Sequence, residues 1–158
     1  MRILGIDPGT AIVGFGVIEA VSSKFKMIDG GVIRTPATDS DSARLKIIAD
    51  ELEEIIKQTK PDAMAVEKLF FAQNVTTAMS VSQARGVILL AGEQNGLPVF
   101  EYTPLQIKQS LTGYGKAEKH QVQEMVRTIL KLKEVPKPDD CADALACALT
   151  HAMTGRFA

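Results

Sequence analysis

A chain of 158 residues with 46% hydrophobic and 23% charged side chains has enough apolar material for a core and too little charge for a disordered polymer. The unbroken apolar runs, such as VILLA at 87–91, are far short of a membrane span, and Asp7 interrupts the N-terminal apolar stretch too early for a secretory signal. No membrane, no export and a cytoplasmic setting are therefore expected. The net charge of −1 hides an uneven distribution: Lys108, Lys116, Lys119, Arg127, Lys131, Lys133 and Lys137 face only three acids between Pro104 and Lys137, while acids outnumber bases between Asp39 and Asp62. A basic stretch in a neutral chain suits an anionic partner, and suits a solvated surface about as well.

The first 35 residues read as strands: RILGID running into a Pro-Gly turn, then VGFGVIEA, then KMIDGGVIRT with a glycine interruption. From Ser42 the period changes, with Leu45, Ile48, Leu52 and Ile55 at three- and four-residue spacing, which predicts an amphipathic helix ending at Pro61. DAMAVE reads as a short buried strand and Val75 to Gln94 as a long helix. PVFEY at 98–102 is another strand, and TPLQIKQSL a short helix capped by Thr103 with Pro104 first. TGYG breaks the pattern, AEKHQVQEMVRTILKL is a further helix, and Pro136 and Pro138 precede a last helix from Asp139 to His151. Strands followed by alternating helices and strands imply an α/β fold with a mixed central sheet flanked by helices, in one domain over residues 1–158. Cys141 and Cys147 lie six apart on one helix, roughly 9 Å along its axis, so they cannot bridge each other, and a reducing compartment is expected.

The acids need an explanation. Asp7 ends the first strand and Glu67 ends AMAVE, and ligands of open α/β sheets bind at the carboxyl ends of strands. Asp140 and Asp143, three apart, share one face of the last helix. An aspartate at a helix start commonly caps it, Asp7 before Pro-Gly suits a turn, and Glu67 has Lys68 beside it, so each acid alone has a bland reading. Asp143 resists one: it sits among alanines, and burying an unpaired carboxylate costs several kcal/mol. Four carboxylates without a His/Cys cluster suit Mg²⁺ or Mn²⁺ and not zinc.

GIDPGT at 5–10, AVEKLFFAQN at 65–74, SQARGV at 82–87, GYGKAEKHQVQEMVRTIL at 113–130 and DDCADALACALTH at 139–151 together resemble the RuvC family of bacterial Holliday-junction resolvases, in order along nearly the whole chain. The resemblance implies a ribonuclease-H-like fold and a homodimer that makes paired symmetric nicks in a four-way DNA junction. It implies Asp7, Glu67, Asp140 and Asp143 as catalytic and metal-holding acids, with Asp139 a bystander, and two Mg²⁺ ions, or Mn²⁺ in their place, hydrolysing a phosphodiester. It implies Lys108 and Lys119 as DNA contacts with Lys116 beside them, Phe70 as the ring that stacks on a splayed base, and the RuvA–RuvB branch-migration complex as a partner.

Other readings stand beside these. Exposed lysines need no DNA, Phe71 suits the core, and Tyr114 suits either stacking or a plain loop. Arg85 suits a DNA contact or an acid partner, His120 a surface position, and His151 a cationic ring at a helix C-terminus. The helix from Val75 carries apolar residues on more than one face, which suits a second subunit or a deep core. GIDPGT also suits a phosphotransferase or ATPase of the actin and sugar-kinase type, though those need two related domains. The basic 104–137 segment suits a non-catalytic nucleic-acid binding module, which gives no reason for the acids. A ribonuclease-H-like enzyme acting on RNA–DNA hybrids is the nearest alternative.

Overall fold

The computed structural model describes residues 1–68 and 75–155. Five strands, β1 (Arg2–Asp7), β2 (Ile12–Val21), β3 (Lys24–Arg34), β4 (Ala63–Glu67) and β5 (Val99–Tyr102), form one sheet in the order β3-β2-β1-β4-β5. The β1–β2 and β2–β3 pairs are antiparallel, and β1–β4 and β4–β5 are parallel. Four strands therefore run the same way and end at one edge, at Asp7, Arg34, Glu67 and Tyr102. Helices α1 (Asp41–Thr59) and α2 (Val75–Gln94) cover one face; α3 (Pro104–Thr112), α4 (Lys119–Ile129) and α5 (Asp139–Met153) cover the other. This is the ribonuclease-H-like arrangement of a mixed sheet between helices.

Strand periodicity assigns the two cores. Leu4, Ile6, Met64 and Val66 point to α1 and α2, where Ile48, Leu52 and Ile88 meet them; Ile3 and Ala65 point the other way, to Leu145, Ala148 and Leu149 of α5. Helix α5 lies unusually close to the sheet. A Cβ at Gly5 of β1 would stand 2.0 Å from the Ala144 carbonyl oxygen, and one at Gly14 of β2 would stand 2.0 Å from that of Asp140. Only glycine fits under the helix there, and Ala144 and Ala148 supply the small side chains on the helix side.

Local chemistry sets the helix ends. Ser40 accepts from the Ala43 amide to start α1, and Lys60 closes it in the left-handed conformation before Pro61. Thr103 and Gln106 form a reciprocal capping box on α3, with Pro104 in the first turn as the sequence predicts. The α4 helix is shorter than expected at both ends: Glu118 and Gln121 box its start, and Lys131 turns to positive φ just beyond its C-cap, Leu130. The α5 helix runs two residues past His151. The glycine pair of β3 does not interrupt it; the register shifts instead opposite Val17 and Ile18, where Ile28 is the extra residue. Both cysteines are free and buried. No described helix is long and apolar enough to cross a membrane.

Candidate active site

Asp7 and Glu67 are the next outward steps of two neighbouring strands. The parallel register pairs Gly5 with Ala65 and Ile6 with Val66, so the following residues stand side by side at the sheet edge. Period two turns both toward α5, the face that already holds Ile3 and Ala65. On α5, Asp140 and Asp143 occupy one face in the first turns, directly above β1 and β2, because the glycines let the helix settle there. Three segments far apart in sequence thus bring four carboxylates to one corner of the fold.

Their mutual field is strong. Asp7 is pushed up to about 9, first by burial, then by Glu67, Asp143 and Asp140, and its proton is donated to the Glu67 carboxylate. Burial also raises Glu67, against the bond it accepts from Asp7 and the opposing pull of Lys119 and Lys108. Asp143 is raised by burial too, although Lys119 pulls it back. Among the described residues, no three acidic, histidine or cysteine side chains close on a single ligation point. The crowding favours a proton shared between Asp7 and Glu67.

A cleft of about 220 Å³ opens beside the acids, lined by Glu67, Lys108, Lys119 and Asp143 above an apolar floor of Ile107, Val122 and Ala146. The Lys119 ammonium lies 3.6 Å from Asp143 and 3.4 Å from Asp139. Burial alone would lower Lys119, but the two aspartates outweigh it and the net shift is upward, so the side chain is a firm cation. Asp139 itself is exposed and also accepts from Gln123, which turns it toward α4 and away from Asp7. Lys116 is exposed in the loop before α4.

Two open readings close on structural partners. Arg85 pairs with Glu101 of β5, tying α2 to the sheet edge. His120 is exposed beside Glu118, as expected of a surface residue. His151, read as a ring suited to the dipole at the helix C-terminus, is fully buried, hydrogen-bonded through Nδ1 to the Tyr102 hydroxyl at 2.7 Å and stacked 4.3 Å from the Phe100 ring. Phe70, expected to stack on a base, and Phe71 lie outside the described residues. Gly5 and Gly14, which seat α5, escape a search for chemistry-bearing residues. Their signal was the lone Gly5 of β1 and the alternating Gly14 and Gly16 of β2, matched to an alanine-rich helix.

The family model described as crossover junction endodeoxyribonuclease RuvC matches residues 3–151. The crossover junction endodeoxyribonuclease RuvC of Brevibacillus brevis is 57% identical over 157 residues, covering 99% of this chain and 95% of that protein. The structure of Thermus thermophilus RuvC in complex with Holliday junction substrate superposes with a TM-score of 0.94 at 41% identity, covering 99% of this chain and 95% of that one. The yeast mitochondrial Holliday junction resolvase Ydc2, at 15% identity and a TM-score of 0.69, shares the fold. With the four-acid corner set on a ribonuclease-H-like sheet, the chain belongs to the RuvC family of crossover junction endodeoxyribonucleases.

Proposed function

We propose that this chain is a single-domain nuclease that resolves four-way DNA junctions by paired symmetric nicks. The observation that carries the reading is the convergence of Asp7, Glu67, Asp140 and Asp143 at one sheet edge, where burial and the neighbouring carboxylates push Asp7 up. Junction DNA as substrate is supported by family membership and by the likeness to the Thermus thermophilus protein solved with such a substrate.

The donor set is all carboxylate oxygen, crowded, and next to a cleft with room for a phosphodiester, which fits hard divalent cations. Asp7, Glu67, Asp140 and Asp143 would hold two Mg²⁺, or Mn²⁺, whose charge would activate a water and stabilise the leaving oxygen. The protein's own groups do the rest. Asp7 releases its shared proton as the cluster is neutralised, so the four acids become available as anions together. Lys108 and Lys119, at the cleft wall, hold the backbone phosphate; Lys119 exchanges its aspartate partners for it. Lys116 adds a looser contact from the exposed loop, and Phe70 is assigned the stacking role at the junction centre. The apolar floor excludes bulk water from the strand being cut.

Two symmetric cuts need two sites, so the working unit is a homodimer. Exposed apolar residues on α2 support this: Val75, Met79 and Leu90 are 77%, 62% and 55% exposed. The RuvA–RuvB branch-migration complex is the expected supplier of mobile junctions, in the cytoplasm; both assignments rest on family membership.

The direct test is incubation of a mobile four-way junction with purified protein in Mg²⁺ and in EDTA, beside matched duplex and RNA–DNA hybrid. Paired nicks in the junction alone are expected, abolished by EDTA. Asp143→Asn is expected to lower the rate at least ~100-fold, since even outer partners of metal ligands cost 10–100-fold. Junction binding with no cutting under any divalent metal would leave a binding module and remove the nuclease.

A further inference from the structure

A second hollow lies at the same sheet edge but on the α1–α2 side, with a volume near 460 Å³ and with Gly9, Thr10, Arg44, Thr76, Thr77 and Ser80 in its wall. Among the described residues, no acid lines the wall. Arg44 projects from the second turn of α1 and is held in place: its Nε donates to Thr35 Oγ1 at 2.9 Å, and the Thr35 hydroxyl donates to the Thr10 carbonyl. Thr10 Oγ1 in turn shares a hydrogen bond with Ser80 Oγ, fastening the turn after Asp7 to α2. Arg44 enters no ion pair among the described residues. Of its five N–H donors one is engaged with Thr35, and Ala11, Ile12 and Val81 complete the wall beside the hydroxyl-bearing residues. A half-buried guanidinium with no carboxylate partner among the described residues, pre-set by a threonine at the mouth of a hollow, suits an anion.

Position narrows the anion. Thr10 follows Asp7 by three residues, so the hollow is at most ~11 Å of chain from the acid corner. We propose that the hollow is a second backbone-phosphate subsite, in which Arg44, beside the bonded Thr10–Ser80 hydroxyl pair, takes a phosphodiester of the junction near the one being cut. The subsite orients the strand and carries no chemistry, so Arg44 is a positioning residue. This inference rests on the junction-binding reading above.

The test is binding of an immobile four-way junction, by fluorescence anisotropy in EDTA between 50 and 200 mM salt, for wild type, Arg44→Gln, Arg44→Lys and Thr76→Glu. One phosphate contact contributes about 0.9 to the slope of log K against log salt. Arg44→Gln is expected to bind several-fold more weakly with a slope shallower by about that amount, and Arg44→Lys to keep the wild-type slope. Thr76→Glu sets a like charge at the exposed rim of the hollow in the first turn of α2, where an acid favours the helix, and its urea midpoint beside the wild type's separates weaker binding from a folding defect. Wild-type affinity and slope in both Arg44→Gln and Thr76→Glu would overturn the subsite and leave the nuclease reading intact. Failure of the wild type itself to bind the junction would overturn both.

Discussion

Asp7 holds its proton up to about pH 9 because burial and three neighbouring carboxylates all penalise its charge. In the unfolded chain an aspartate loses its proton near pH 3.9. Between those values the folded, metal-free protein binds more protons than the unfolded one, so stability falls as pH rises through that window. Asn at position 7 keeps the shape and removes the titration. In EDTA at pH 8, Asp7→Asn is expected to be more stable than wild type by at least ~1.4 kcal/mol, one pH unit's worth, with the gap narrowing toward pH 5; urea unfolding at several pH values measures it. Equal stability at pH 8 would mean the acids do not crowd one another as described. Mg²⁺ should reverse the ranking, raising the wild-type midpoint by mass action and leaving the variant behind. At this scale the acids were legible from sequence, since their strand-end and helix-face positions follow from periods of 2 and 3.6. The partners of Arg85 and the burial of His151 were not, because β5 approaches both α2 and α5 only in the assembled fold.

Helix α5 delivers half of the acid corner, and it is placed by what is missing beneath it. Adding a methyl group at Gly5 drives a Cβ to 2.0 Å from the Ala144 carbonyl oxygen, and a backbone atom cannot swing aside as a long side chain can. Gly5→Ala is therefore expected to cost about 3 kcal/mol, the upper end of overpacking, read from the urea midpoint. It should also lower junction cleavage per folded molecule, because a lifted α5 carries Asp140 and Asp143 away from Asp7. Unchanged cleavage in the folded fraction would show that α5 tolerates displacement. Element order and type were readable throughout, since each helix and strand has its own period and punctuation. Boundaries failed where local chemistry beat pattern: Glu118 boxed the start of α4 inside the expected helix, and positive φ at Lys131 ended the helical run before the apolar spacing did. The continuous β3 shows the opposite case, in which pairing with β2 overrides two glycines that read as a break.

For the whole molecule the decisive question is whether one copy suffices. Val75, Met79, Gly86 and Leu90 fall at spacings of four, seven and four, on one side of α2, while Ala84, Ile88 and Ala91 are buried on the other. The sequence left this helix open to two explanations; the sheet uses only the second face. A Cβ at Gly86 would meet nothing within 4 Å, so the outer face is flat as well as apolar, suited to close approach by another helix. Leu90 is 55% exposed, so Leu90→Glu should leave the monomer's stability within ~0.5 kcal/mol of wild type. If two copies meet through this face, the change removes a leucine from each side, about 3 kcal/mol or more in total and thus over ~100-fold in dimer affinity. Light scattering should then report monomers at concentrations where the wild type is dimeric. The cleavage pattern should follow: a cruciform plasmid cut by the wild type becomes linear through paired nicks, whereas Leu90→Glu should leave mainly single-nicked circles. A dimeric Leu90→Glu that still linearises the plasmid would move the subunit contact off α2, while paired cutting by a proven monomer would remove the need for two copies altogether.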